Sequence, residues 1–396
     1  MVLLQNIQEP SHPAPKGFAL FALGFRPFYL LASIFAALSV PLWALQFAGL
    51  LPQPYLSGVV WHAHEMLFGF TLAVIVGFLL TAGRNWTNMP TPTGWALCAL
   101  AALWVLARIL VLTPYAQAAA VANIAFPLAA AAGLAVPFIK ARNRRNYFFV
   151  ALLVLLAAVA ALIHLTALGV LAMPPWVGLQ LTLDIVLFII VVMGGRVIPM
   201  FTNNGVPGAS AAKKPWVEKL ALGAVLALLL ADAMGLQGWP VAVVAVVAGI
   251  AHLCRWLLWE PWKTLRTPLV WVLHLAYVWV PIHLLLRMCS EFGWVAASLS
   301  VHALTVGAVG GLVIGMMTRT AKGHTGQPLH ADRCDTAAYA LVLLAAVLRV
   351  ALPLLVPGQT LHAILVSAAL WSAGFGLYAL RYAPLLVRPR IDGRPG

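Results

Sequence analysis

Apolar residues fall along the chain in twelve runs, each close to the roughly 20 residues that a membrane-spanning helix requires. Short connections containing Pro, Gly and Asn separate the runs, as loops do. The pattern predicts an all-α integral membrane protein that forms a single polytopic domain over residues 1–396. The predicted spans cover residues 24–48, 59–83, 94–112, 116–139, 146–170, 176–200, 216–235, 239–259, 268–289, 294–318, 336–356 and 359–382.

Basic residues in the connections predict the orientation of the spans. Lys and Arg occupy the connections after spans 4, 6, 8 and 10, whereas connections 1–2, 3–4, 5–6, 7–8 and 11–12 contain neither. By the positive-inside rule the basic connections are cytoplasmic. We therefore expect a cytoplasmic N-terminal segment (1–17), which does not read as a removable signal peptide, and a cytoplasmic C-terminal tail (383–396).

Composition supports a membrane protein and narrows its chemistry. Hydrophobic residues make up 63% of the chain and charged residues only 9%, far below the roughly 25% of soluble domains. Topology explains the net charge of +14, so we expect no nucleic-acid partner. The four cysteines are scattered and form neither a zinc knuckle nor a covalent c-type haem attachment motif.

Ionisable residues in spans 2 and 10 follow a shared spacing. Glycines follow both His64 and His302 at the fifth and thirteenth positions, and both spans end in arginine. Ionisable groups within a span are functional candidates by default. Two histidines on like helices can face each other across a flat, metal-bearing cofactor. The repeated positions are Gly69, Gly77 and Arg84 in span 2, and Gly307, Gly315 and Arg319 in span 10.

A helix rises about 1.5 Å per residue, so the position of a residue along its span gives its depth. By this measure other polar residues lie at the same outer depth as His64 and His302. Neutral imidazole is a common ligand of haem iron and of copper. Outer arginines run against the positive-inside pattern, so they call for an internal partner such as a haem propionate, although snorkelling to headgroups is the simpler alternative. The outer histidines also include His62, His164, His283 and His362, and the outer arginines are Arg108, Arg287 and Arg349.

Several of these residues have structural alternatives. A histidine in a membrane helix can simply hydrogen-bond to a neighbouring helix, which we favour for His164, His252, His274 and His362 taken singly. His62 and His64 are two residues apart and do not share a helix face, so we do not expect them to ligate one ion jointly. Glu65 suits a second role, in which it orients a ligand histidine of a neighbouring helix.

Two further patterns leave alternatives open. The repeated glycines either allow close helix packing or clear room for a macrocycle. The span 2–3 pair matches the span 10–11 pair in both histidine and arginine, and span 6 carries Asp184 where a histidine would fall. This spacing suggests three degenerate four-helix units.

Longer motifs match a known family in order along the chain. They lie at Gly24–Phe28, Trp61–Gly69, Leu80–Thr87, Gly194–Asn204 and His302–Arg319. Through them the chain resembles the NnrS family of bacterial membrane proteins from start to end. The resemblance implies a twelve-helix inner-membrane protein that carries haem and copper. It also implies a link to nitric oxide, through denitrification and resistance to nitrosative stress.

The chain is also similar in architecture to the haem-copper oxidases and nitric oxide reductases. Those proteins have twelve helices in a pseudo-threefold arrangement, with low-spin haem ligands on the second and tenth helices, where His64 and His302 stand. Their sixth helix and the segment after it supply further metal ligands, whereas spans 6 and 7 here contain no histidine. An ordinary dinuclear centre is therefore not expected. The copper candidates by depth are His62, His283 and His164, and we expect His62 and His283 to be the leading ligands of the second metal.

These observations lead to one hypothesis and two rivals. We hypothesise that His64 and His302 ligate a non-covalent, b-type haem, whose propionates meet Arg108, Arg349 and Arg287. Nitric oxide is then either converted, as by an oxidoreductase, or only bound, as by a sensor. The rival from another class is a proton-coupled secondary transporter without metal, in which the histidines and Asp184 carry protons. The electron donor and the oligomeric state stay open.

Overall fold

The computed structural model describes residues 17–47, 49–52, 55–56 and 58–392. Within these residues the chain forms twelve long helices and no strands. Residues 1–16 of the predicted N-terminal segment and residues 393–396 of the predicted tail lie outside this description. The helices are α1 (Phe25–Phe47), α2 (Gly58–Thr87), α3 (Gly94–Leu110), α4 (Ala116–Lys140), α5 (Tyr147–Ala167), α6 (Pro175–Gly205), α7 (Pro215–Ala233), α8 (Trp239–Leu257), α9 (Pro268–Glu291), α10 (Ala297–Thr325), α11 (Arg333–Leu355) and α12 (Thr360–Val387).

The helices confirm the predicted all-α membrane fold. Ten of them are long and apolar enough to cross a membrane. Of the other two, α3 has 17 residues, and α7 carries the charged residues Glu218, Lys219 and Asp232. The largest difference from the predicted ends is in α10, which continues to Thr325, followed by α6 and α12, which continue to Gly205 and Val387. Hydropathy marks only the apolar part of a helix, whereas the backbone hydrogen bonds continue through polar turns.

Consecutive helices pack against each other along the chain, and α1 packs against α12 to close the bundle. The share of buried residues is 83% in α2, 61% in α6 and 67% in both α9 and α10. It is 39–50% in the other spanning helices. The most buried helices thus include every fourth helix from α2, the period that the sequence suggests for four-helix units.

Helices α2 and α10 share a distortion at the same position. Their π-helical turns, Glu65–Thr71 and Ala303–Gly310, begin directly after His64 and His302. Such a turn changes the α-helical hydrogen-bond pattern, and in α2 the indole N–H of Trp104 on α3 donates to the Gly69 carbonyl at 3.0 Å. π-Helical turns frequently mark functional sites.

The repeated glycines give space to side chains of neighbouring helices. A methyl group at Gly69 would lie 2.5 Å from the Phe35 ring, and one at Gly307 would meet the indole of Trp279. Of the two interpretations of these glycines, the structure supports close helix packing. The same holds for Gly77 against Phe28 and Tyr29, Gly310 against Trp371, Gly311 against Ala276, and Gly315 against Val272 and Leu273.

Candidate functional site

The first residues of α2 and α10 lie at one end of the bundle, which we call the histidine end. In α2 this end carries a buried network centred on Glu65. Its Oε1 accepts the Nδ1–H of His64 at 2.8 Å and an N–H of Arg108 at 2.5 Å, and Arg108 also donates to the side-chain oxygen of Asn123. Because a carboxylate only accepts hydrogen bonds, Nδ1 of His64 holds the proton and Nε2 keeps its lone pair.

His164 of α5 is the imidazole beside His64. The two rings meet edge to face, with their centres 4.9 Å apart. The hydroxyl of Tyr55 lies 2.8 Å from Nδ1 of His164. Nε2 of both histidines is buried and has no hydrogen-bond partner within the described part of the chain. Two imidazole nitrogens are therefore available on adjacent rings.

His302 belongs to a different group. It lies within electrostatic range of His62 and Arg349. The ring of His62 also packs against Trp43, with centres 4.6 Å apart. The two predicted haem ligands thus have different imidazole neighbours: His64 has His164, and His302 has His62.

Backbone acceptors orient two further imidazoles at this end. Nδ1 of His302 donates to the Ser298 carbonyl at 2.6 Å, and Nδ1 of His283 on α9 donates to the Ser300 carbonyl at 2.8 Å. Nε2 of His283 is buried without a partner among the described residues. A ring N–H held by a carbonyl or carboxylate is the usual support of a metal-bound histidine. This donor chemistry fits copper and haem iron.

The side chains of the described residues do not by themselves form a complete site for one metal ion. Across residues 17–47, 49–52, 55–56 and 58–392, no group of three or more His, Cys, Asp or Glu side chains is arranged to hold one metal ion. The fit to a metal therefore rests on the unpartnered Nε2 atoms of His64, His164 and His283.

The arginines predicted to bind propionates have different partners. Arg108 binds the Glu65 carboxylate of α2. Arg287 on α9 binds Asp232 at 2.7 Å and Glu291 at 2.9 Å. Arg349 on α11 has no ion pair with an acid in the described structure. Arg349 is therefore the outer arginine whose charge is not already matched by a protein carboxylate.

The remaining membrane histidines have local roles or none that the structure shows. His252 bonds the hydroxyl of Tyr277 at 2.7 Å, and His274 bonds that of Thr202 at 2.8 Å. These contacts match the structural interpretation of both histidines. His362 is exposed at the start of α12.

Sequence reasoning missed Tyr55, Asn123 and Asp232. Asn123 carried a signal, because an amide within an apolar helix needs a polar partner. Asp232 carried one too, as an acid near the end of an otherwise apolar run. Tyr55 carried none, since tyrosine is common at membrane–water interfaces.

Comparison with protein families agrees with the motifs found along the sequence. The profile of the NnrS protein family matches residues 19–390. The chain belongs to the NnrS family. The match confirms the resemblance inferred from the motifs, and NnrS membership supports a nitric oxide-related membrane protein. No curated protein matches the chain.

Proposed function

We propose that this NnrS chain is a haem- and copper-binding protein that handles nitric oxide in the bacterial inner membrane, in denitrification or nitrosative-stress resistance, with both termini cytoplasmic. The observation that carries the proposal is the set of buried imidazoles whose Nδ1 atoms are held by protein groups while Nε2 stays free. Family membership supports the link to nitric oxide.

The pair His64 and His164 suits copper. Imidazole is a suitable copper ligand, and the two rings, with centres 4.9 Å apart, each have an Nε2 that is unpartnered within the described structure. These two neighbouring imidazoles would hold one copper ion, and we assign haem to the other histidine group. Glu65 and Tyr55 orient the two rings, and Arg108 holds the Glu65 carboxylate in place.

The group of His302, His62 and Arg349 suits haem. The Nδ1–H of His302 is bonded to the Ser298 carbonyl, so His302 would hold the iron through Nε2, and Arg349 can bind a propionate without breaking an ion pair to a protein acid. When bound, haem iron supplies a site for nitric oxide and one-electron chemistry. The protein orients the imidazoles and matches the propionate charge. A haem held between His64 and His302 is the alternative, and the variants below distinguish the two.

Metal analysis with optical spectra tests the proposal on protein produced with haem and copper both available. Wild-type protein should contain iron and copper, and its reduced haem band should shift with nitric oxide. We expect His64→Ala to lose copper and keep haem, and His302→Ala to lose haem and keep copper. His274→Ala, a buried histidine outside both groups, is the matched control and should keep both metals.

Other outcomes have definite meanings. Loss of haem in His64→Ala as well as in His302→Ala would favour the His64–His302 alternative. Unchanged metal content in both variants would reject these histidines as ligands. Wild-type protein with neither metal would overturn the proposal and favour a proton-coupled transporter.

Arg349→Gln tests the propionate assignment separately. We expect the variant to bind haem less tightly, because it removes the charge available to a propionate. Copper content should not change. The measurement is the haem fraction that remains after dilution and washing, beside the copper-to-protein ratio. Equal haem retention in variant and wild type would remove Arg349 from the site.

A further inference from the structure

Another polar group lies where α6, α7 and α9 meet. Asp184 of α6 faces Asp232 of α7 inside the bundle. On the far side of Asp232, Arg287 of α9 donates to that carboxylate and to Glu291. The side-chain amide of Gln180 donates to Oδ1 of Asp184 at 3.1 Å. None of these five residues is a proposed metal ligand.

The charges of this group do not balance when all its acids are ionised. Three carboxylates, on Asp184, Asp232 and Glu291, then face the single guanidinium of Arg287. Glu291 is bonded on both oxygens, because its second oxygen accepts the backbone N–H of Gly238 at 2.8 Å. Asp184 is the acid without a directly bonded cation, and it is only 1% exposed.

One oxygen of each of these two carboxyl groups also lacks a hydrogen-bond donor in the described structure. Oδ2 of Asp184 and Oδ2 of Asp232 are both buried, and neither has an N–H or O–H partner among the described residues. A buried carboxyl oxygen without a donor is strongly unfavourable. Two carboxylates that share a buried site do not both ionise, and the usual solution is one proton held between them. A proton supplies the missing O–H and removes one of the two excess charges.

We propose that Asp184 and Asp232 form a proton-binding carboxyl pair in the interior of the bundle. The adjacent guanidinium of Arg287, which is paired with Asp232, disfavours a metal cation at the same place. Gln180 of α6 contacts Asp184 directly, Glu291 of α9 contacts Arg287 beside the pair, and His283 lies within electrostatic range of Arg287. The pair gives the chain a buried group that takes up and releases a proton independently of either metal.

Infrared spectroscopy of the full-length protein in lipid vesicles tests the pair directly. The wild-type minus Asp184→Asn difference spectrum should contain one carboxylic acid C=O band that shifts in D₂O. Asp232→Asn should remove or shift the same band. Asp335→Asn is the matched control, because that buried aspartate already has a cation, Lys322, at 2.9 Å and should contribute no acid band.

Thermal stability across pH gives an independent readout. Deprotonation leaves two adjacent buried anions, so wild-type stability should fall as the pH rises through the range in which the infrared band disappears. Asp184→Asn should lose this dependence, since its amide permanently supplies a donor to Asp232.

Two results would overturn the proposal. One is an identical set of acid bands in the wild type and in Asp184→Asn. The other is a wild-type band that vanishes at constant pH on addition of sodium chloride but not of choline chloride, which would identify a sodium site instead.

Discussion

Helices α2 and α10 share the same spacing of histidine and glycine, but their histidines differ in burial and in hydrogen-bond partner. Each carries a histidine followed at once by a π-helical turn. His64 is completely buried and bonded to an acid, whereas His302 is half-buried and bonded to a carbonyl of its own helix. The position after the histidine is Glu65 in α2 and Ala303 in α10.

This single difference accounts for the contrast between the two arginines. Glu65 gives α2 an acid that matches Arg108 of the next helix. Ala303 gives α10 none, so the equivalent Arg349 of α11 has no acid to bind in the described structure. A repeated spacing therefore repeats the backbone distortion, while one unrepeated side chain decides whether the arginine is satisfied inside the protein.

Among the variants that test this contrast, removal of Glu65 should change stability and metal content the most. Glu65→Ala leaves Arg108 as a buried charge without its anion, which typically costs about 3–5 kcal/mol. We expect a matching decrease in the free energy of unfolding in detergent, together with loss of copper. The double variant Glu65→Ala/Arg108→Met should recover much of the stability but not the copper. If Glu65→Ala had the same free energy of unfolding as the wild type, the Glu65 network would not contribute to stability.

Substitution of the glycine five residues after each histidine should instead destabilise both helices to a similar extent. Gly69→Ala and Gly307→Ala force a methyl group against Phe35 and Trp279, so each should destabilise by about 1–3 kcal/mol. Gly223→Ala in α7 is the control, because a methyl group there meets nothing within 4 Å. Unfolding free energies of the three variants provide the measurement. A neutral Gly307→Ala would show that α10 is packed more loosely than α2.

The smallest effect is expected far from both histidines. Asp332 caps α11 at the opposite end of the bundle, where it accepts the Asp335 backbone N–H at 2.9 Å and a hydrogen bond from Arg381 at 3.0 Å. The backbone hydrogen bond, with help from Arg381, lowers the pKa of Asp332. Asp332→Ala should cost about 1 kcal/mol, as loss of a helix cap does.

The sign of the pH dependence of Asp332 follows from its lowered pKa. The carboxylate stabilises the folded protein above its unfolded-state pKa, and this contribution disappears as the pH falls through the folded-state pKa. The difference in melting temperature between wild type and Asp332→Ala should therefore shrink in acid. Copper and haem content should be equal in the two proteins. A change in either metal would show that the ends of the bundle are coupled.

The sequence predicted the helices well and their partners poorly. Hydropathy located all twelve helices, because burial in lipid acts on each segment separately. The depth of polar residues along each span brought His64, His302 and the outer arginines into consideration. The hydrophobic periodicity did not show that Arg287 binds Asp232, because the two residues are 55 positions apart and lie on different helices.

The order of apolar runs and motifs along the chain is enough to identify an all-helical NnrS membrane protein with histidines repeated on its second and tenth helices. The packing of the helices is needed to show that His64 meets His164, that His302 lies near His62, and that Asp184 faces Asp232. An apolar run specifies that a segment spans the membrane, but it does not specify how the helix is rotated about its axis. The rotation is set by side chains from several helices packing together, and it decides which polar groups meet.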